Sequence, residues 1–192
     1  MTDSRAWAAP VRLDGQGVVL REWTTADLPV LIELLDDPAV ARYTPMPSPF
    51  DAEAAIAHLA RARERREAGR AIQLAITTDG GAAKGEVLLF RVDDAPETAE
   101  LGYAIGAAHR GLGLAAAALR RLTAHAWSLG LDALRLRIEP GNAASEATAR
   151  AAGYRPTGAP RRDTNKGRAI TLRTWRHPGG EPSQPFVARS RK

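Results

Sequence analysis

The sequence contains no cysteine, and only 5% of its residues are aromatic. Without cysteine there is no disulfide, no thiolate metal site and no cysteine nucleophile. Histidines are few as well: the four, His58, His109, His125 and His177, show no metal-ligand spacing, so no metal is expected. Scarce aromatics leave little for stacking nucleobases, and no nucleic-acid-binding motif is present. Charge of one sign is only mildly in excess, 27 Lys and Arg against 22 Asp and Glu, a formal +5. That excess favours an anionic ligand or an acidic partner and does not by itself argue for nucleic acid. No run approaches the roughly 20 apolar residues of a membrane span, and MTDSRAWAAPVRLDG at the N-terminus lacks an apolar core of signal-peptide length, which reads as a cytoplasmic protein without a membrane partner.

What remains is an ordinary globular composition, 44% hydrophobic and 26% charged over 192 residues, suited to one domain with a real core. Residues 1–17 read as a lead-in, 18–176 as the domain, and 177–192, HPGGEPSQPFVARSRK, as a basic Pro/Gly/Ser-rich mobile tail. VVLREW at 18–23 resembles a strand. Thr24 to Asp27 forms a capping box with Asp in the place of Glu, and Leu28, Leu31, Ile32 and Leu35 mark one helical face that Asp36-Asp37-Pro38 stops. A proline-punctuated loop at 43–50 precedes a helix over 51–68, with Ile56, Leu59 and Ala60 expected inward. Strands are expected at 72–77, 85–92, 99–105, 133–139 and 170–175, with helices over 114–129 and 142–152 and a loop over 156–169. The order predicts a mixed α/β sheet with helices on its faces.

Between the strand at 99–105 and the helix after it lies HRGLGLAAAAL, where the smallest residues crowd the start of a helix. Small residues leave successive backbone N–H groups uncovered, and the helix start adds partial positive charge, so the turn suits a phosphate. Arg110 can add a charge-assisted contact. A tight strand–helix connection whose glycines serve packing alone fits the turn equally well. No third glycine completes a dinucleotide fingerprint, and no Gly-Lys-Ser/Thr completes a P-loop.

The flanks add context. ELGYAI, HRGLGLAAAAL, EPGNAAS and AAGY occur in order over 99–154, and together they resemble the GNAT superfamily of N-acetyltransferases, most closely its RimJ/RimL type. The resemblance implies a single-domain α/β (α+β) fold, a mainly antiparallel sheet splayed into a V between the strands at 99–105 and 133–139. It implies acetyl-CoA as co-substrate. Arg110, Gly111, Leu112, Gly113, Leu114 and Ala115 would cradle the pyrophosphate, backbone groups of Tyr103, Ala104 and Ile105 would pair with the pantetheine arm, and Asn142 would hold that arm from the other side. Ser145 matches the serine that RimL-type enzymes place near the thiol; as a first-turn serine bonded to a backbone carbonyl it would be structural instead.

Direct attack of a neutral amine on the thioester needs a proton acceptor and stabilisation of the departing thiolate. The tyrosine that many members carry seven residues after the asparagine is Ala149 in this chain, and 154–158 reads YRPTG, without the glutamate of some RimL-type enzymes. Glu100, facing away from Leu101, Tyr103 and Ile105, is the candidate base, with Glu22, Glu86 and Asp51 behind it; a solvated or ion-paired surface role is the alternative. Tyr154, Trp23 and Trp175 read as core. The partner is an amine acceptor, either a peptide or protein N-terminus or a small molecule such as an amino antibiotic, and the resemblance also allows a homodimer. A non-catalytic acyl-CoA-binding module is the competing function.

Overall fold

The computed structural model describes residues 4–93 and 95–179; most of the expected tail, residues 180–192, lies outside them. The chain runs α1 (Ser4–Ala8), β1 (Leu13–Gly15), β2 (Val18–Glu22), a 3-10 turn at Thr25–Asp27, α2 (Leu28–Leu35), α3 (Pro38–Tyr43), α4 (Ala52–Glu67), β3 (Ala71–Thr77), β4 (Gly85–Val92) and β5 (Ala95–Ile105). After a second 3-10 turn come α5 (Leu114–Ser128), β6 (Ala133–Ile138), α6 (Ala143–Ala151), β7 (Arg155–Asn165) and β8 (Arg168–Arg176). The eight strands lie in the order β1-β2-β3-β4-β5-β6-β8-β7. Every pair is antiparallel except β5–β6, whose connection carries α5 over one face.

Period-2 alternation sorts the strand residues between two cores. Ile72, Leu74, Ile76, Val87, Leu89 and Leu101 face α5 and meet its Leu119 and Leu122, both fully buried. Burying each such leucine contributes about 2 kcal/mol. On the opposite face Ala75 and Ala104 join Leu31, Leu34 and Leu35 of α2, Phe50, and Ala55 of α4.

Four expectations change. The lead-in is partly core: Trp7 is completely buried, and Val11 and Leu13 are buried with it. After Pro38 stops the first helix the chain starts another, because Asp37 takes an extended conformation and its carboxylate accepts from the amides of Ala39 and Val40. On α4, Ile56 is exposed (58%), Ala60 is exposed and Leu59 is half-buried, while Ala55 and His58 turn inward. Apolar periodicity missed that face because His58 is buried as the partner of a carboxylate. Lastly, most of 156–169 is strand β7. It pairs with β8 alone, at the sheet edge, where Pro156 and Pro160 are tolerated and no apolar alternation is required.

Candidate active site

Strands β5 and β6 touch only at Thr98–Glu100 and Ala133–Arg135; beyond that they part. Because the Gly106 amide bonds to the Lys84 carbonyl at 3.1 Å, antiparallel alternation turns the backbone polar groups of Tyr103 and Ile105 away from β4 and into this gap. Ala104 faces the other way, its backbone committed to Glu86 of β4 and its side chain to the α2/α4 core. At the open end of β5 the chain makes the glycine turn. Gly111 and Gly113 have φ of 78° and 74°, conformations that cost other residues about 1–2 kcal/mol, and a Cβ on either would meet nothing within 4 Å. Gly111, Leu112 and Gly113 are exposed, whereas Leu114 and Ala115 are buried. Helix α5 has no side-chain cap; its first backbone bond runs from Ala117 to Gly113. Successive amides and the helix dipole therefore converge on open space.

Arg110 does not stand free. Its Nε donates to the Ile105 carbonyl at 3.1 Å and its terminal nitrogen to Asp37 at 2.7 Å. Burial pushes the Asp37 carboxyl up, but the Arg110 guanidinium and the α3 amides outweigh it and hold the group below its ordinary value. At the other end of α3, Arg42 makes a two-pronged contact with Glu139, both distances 2.9 Å, and Arg168 reaches the same carboxylate at 3.2 Å. The Arg42 guanidinium is the main reason the Glu139 carboxyl titrates below its ordinary range. Helix α3 thus spans the mouth of the V, tied at one end beside β5 and at the other beyond β6. The β7–β8 turn docks on the same segment: Asn165 donates to the Thr44 carbonyl at 3.2 Å, and Lys166 donates to the carbonyls of Ala41 and Met46.

Across the gap, Asn142 caps α6 by accepting from the Ser145 amide at 3.2 Å. The Tyr103 hydroxyl crosses from β5 and donates to the Ser145 carbonyl at 3.3 Å. Burial raises the Tyr103 pKa above its ordinary value, so the phenol keeps its proton at neutral pH. The Ser145 hydroxyl donates to no backbone carbonyl among the described residues, so the carbonyl-bonded alternative is not what the structure contains; it lies instead beside the Tyr103 hydroxyl, where it and Thr148 offset part of the effect of burial on that phenol. Tyr103, Asn142 and Ser145 are thus brought together.

Glu100 is different. It is buried at the vertex of the V, with Arg135 at 2.9 Å and Arg137 at 2.8 Å, and Arg137 also holds Asp163 at 2.6 Å. Both oxygens of this carboxylate are taken by guanidinium donors, so neither is open to an incoming amine. Of the weaker candidates, Glu86 is almost fully buried with His58 at 2.9 Å and Gln73 at 2.6 Å. Glu22 binds Arg66 and the Val11 amide, and Asp51 caps α4 through the Ala54 amide. Tyr154 and Trp175 are core, as expected, and Trp23 is half-buried against the α2/α4 cluster. Sequence reasoning missed Asp37, Arg42, Glu139, Arg168 and the two arginines on Glu100. The alternation of Arg135 and Arg137 with buried leucines was the available signal, because it placed both guanidiniums on the face of Glu100. Among the described residues no cluster of potential metal ligands occurs, and no helix is long and apolar enough to cross a membrane.

Comparison with known proteins follows the same geometry. The family model of the GNAT acetyltransferase domain matches residues 18–155. No curated protein matches the sequence. Among solved structures, the chain resembles RimJ of Mycobacterium smegmatis in complex with CoA-disulfide, at TM-score 0.72 and 22% identity, covering 88% of each chain. It resembles RimL, a ribosomal L7/L12 α-N-protein acetyltransferase, at TM-score 0.74 and 16% identity, with 88% of this chain and 94% of that one covered. The microcin C7 self-immunity acetyltransferase MccE, in complex with acetyl-CoA and AMP, gives TM-score 0.72 and 19% identity over 84% and 92%. At these identities the likeness is one of fold. With a splayed sheet, an uncapped helix behind a glycine turn and a family match over most of its length, the chain belongs to the GNAT acetyltransferases and is an N-acetyltransferase.

Proposed function

We propose that the protein transfers acetyl from acetyl-CoA by direct attack of a primary amine, and that its acceptor is the α-amine of a peptide or protein. The turn Arg110–Ala115 holds the pyrophosphate through backbone amides, with Arg110 exchanging Asp37 for a phosphate oxygen. The pantetheine arm lies along the open edge of β5 at Tyr103 and Ile105, as an added strand does, with Asn142 opposite. Ser145 and the protonated Tyr103 phenol stand on the α6 side, where a departing thiolate needs donors.

The observation that carries the choice of acceptor is the state of the carboxylates. Glu100, Glu139 and Asp163 around the V are all engaged by arginines, and Glu86 by His58 and Gln73. With these carboxylates engaged, a site that offers no free carboxylate base among the described residues favours an amine that is already partly neutral. An α-amine of pKa near 8 is roughly a tenth neutral at pH 7, whereas a lysine of pKa about 10.4 needs about 3 kcal/mol more deprotonation. RimL, an α-N-protein acetyltransferase, supports this reading, while MccE keeps a small-molecule amine as the second one.

Thiol release from acetyl-CoA, measured against peptides with free or blocked N-termini and against amino antibiotics, tests it. Turnover of free N-termini, rising with pH through the acceptor's pKa, is expected. Efficient acetylation of internal lysines at pH 7 in N-blocked peptides refutes the α-amine assignment. Gly113→Glu meets no atom and costs only left-handed strain, yet places a carboxylate against the phosphate. Calorimetry should find acetyl-CoA binding lost in this variant; retained affinity sinks the cradle.

A further inference from the structure

The positive charge of this protein is concentrated. Between Arg155 and Arg176 the sequence holds seven Lys and Arg, at 155, 161, 162, 166, 168, 173 and 176, against one acid, Asp163; the remainder, twenty basic against twenty-one acidic residues, is close to neutral. This segment is the β7–β8 hairpin, and its turn docks on the α3 segment at the mouth of the V. The acids within reach are already claimed: Glu139 accepts from both Arg42 and Arg168, and Asp163 from Arg137. Arg161 and Arg162 are exposed, and their side chains make no hydrogen bond or ion pair among the described residues. Beyond the end of β6 a cleft of about 460 Å³ lies between Glu139 and the hairpin, lined by Arg162, Ala169, Ile170 and Thr171.

Resting on the function proposed above, we infer that this cleft selects acidic acceptors: it receives the carboxylates of residues that follow the acetylated amine, and Arg162 is the specificity-determining residue. An acceptor whose amine enters the V at the α3 mouth has to leave its next residues against the hairpin. There a neutral side chain gains nothing from a field of uncompensated guanidiniums, whereas a carboxylate gains a fork-shaped donor. Arg42 and Arg168 share the single carboxylate of Glu139, and the one positive charge left over adds to that field and biases encounter toward anionic chains. Cations on a two-stranded edge could also attract RNA. The placement at the acceptor mouth and the lack of exposed aromatics on the hairpin favour a peptide.

Two peptides of equal length and identical N-terminal residue, one with Glu and Asp at its second to fifth positions and one with Gln and Asn, provide the test. Affinity is read by fluorescence anisotropy with coenzyme A present, and kcat/KM by thiol release. The acidic peptide is expected to bind and react about 5- to 20-fold better at low salt. That advantage should shrink as NaCl shortens the Debye length to a few Å. In Arg162→Glu the ratio between the peptides should fall toward one, and Arg162→Lys should restore part of it. Equal affinities of the two peptides for the wild-type protein overturn the inference, whether or not either reacts, and so does an unchanged ratio in Arg162→Glu. If a short single-stranded RNA displaces the acidic peptide and binds more tightly than it, the hairpin is a nucleic-acid surface and the inference also fails. Transfer to both peptides at one rate leaves the acetyltransferase function standing, whereas acidic-peptide binding without transfer to any amine refutes the function and not the charge selection.

Discussion

Ser145 and Glu100 entered as the two catalytic candidates, and their surroundings separate them. Ser145 has a hydroxyl beside the gap and the Tyr103 phenol, and among the described residues it bonds no backbone group, so Ser145→Ala removes no side-chain bond to the backbone. On the proposed role it should lower kcat about 10- to 1,000-fold while acetyl-CoA affinity and thermal midpoint stay put; unaltered turnover returns Ser145 to a purely structural place. Glu100→Gln should do the reverse. It leaves Arg135 without its carboxylate and Arg137 with Asp163 alone, at the one point where β5 and β6 are still paired. Since both guanidiniums are partly solvated, the cost is about 1–3 kcal/mol rather than that of a fully buried pair. The pH–rate profile should keep its shape. Loss of its acid limb in a variant of undiminished stability would instead establish Glu100 as the base.

At the scale of elements, the short helix α3 is the piece with the most consequence for its size. Its two ends are fixed by charge, Asp37 to Arg110 and Arg42 to Glu139, so it links the glycine turn to the far side of the V. On the reading that Arg110 serves the pyrophosphate, coenzyme binding competes with Asp37 for one guanidinium. Asp37→Asn keeps a good helix cap but drops the charge. Stability should fall by less than about 1 kcal/mol, and acetyl-CoA should bind about 2- to 5-fold more tightly in calorimetry because the guanidinium no longer leaves a carboxylate. Weaker binding would mean that Asp37 orients Arg110 for the coenzyme instead of withholding it.

Over the whole molecule, burial sets a pH limit on stability. The pKa values of His125 and His177 are lowered, first by burial and then by neighbouring guanidiniums, Arg121 and Arg66 for the former and Arg155 for the latter. The His177 ring lies 5.1 Å from that of Tyr154 and 5.9 Å from that of Trp127, and its Nδ1 is buried with no hydrogen-bond partner among the described residues. Below an unfolded-state pKa of about 6.5 the unfolded chain takes up protons that the folded chain refuses, so stability falls as pH drops through 6.5 toward the folded values. Asp27, Asp37 and Glu139, whose pKa values are also lowered, contribute in the same direction only below about pH 4. Thermal unfolding should therefore show a lower midpoint at pH 5.5 than at 7.5, and His177→Phe, which keeps a ring between Trp127 and Tyr154, should reduce that drop. An equal drop in the variant would assign the effect elsewhere.

The repeating elements were legible in the sequence because their causes are local. Alternation in AELGYAI and ALRLRI, the leucine stripe of the long helix, and glycines ahead of it specify strand, helix and turn with their inward faces, and the order of those pieces carried the family. The positions of Asn142 and Ser145 on α6 followed from the same register. Other features depended on partners distant in the chain. For Glu100 the sequence left base and ion-paired carboxylate both open, and its partners became visible only when β6 laid Arg135 and Arg137 beside it, 35 and 37 residues away. Arg110 looked free until α3 delivered Asp37, 73 residues away. His58 displaced Ile56 from the inner face of α4 because Glu86 was waiting there, and β7 formed without apolar alternation because β8 supplied its hydrogen bonds. Apolar burial is encoded residue by residue, so periodicity reveals it; the pairing of charges is a property of two segments, and only the tertiary structure decides which carboxylate each guanidinium meets.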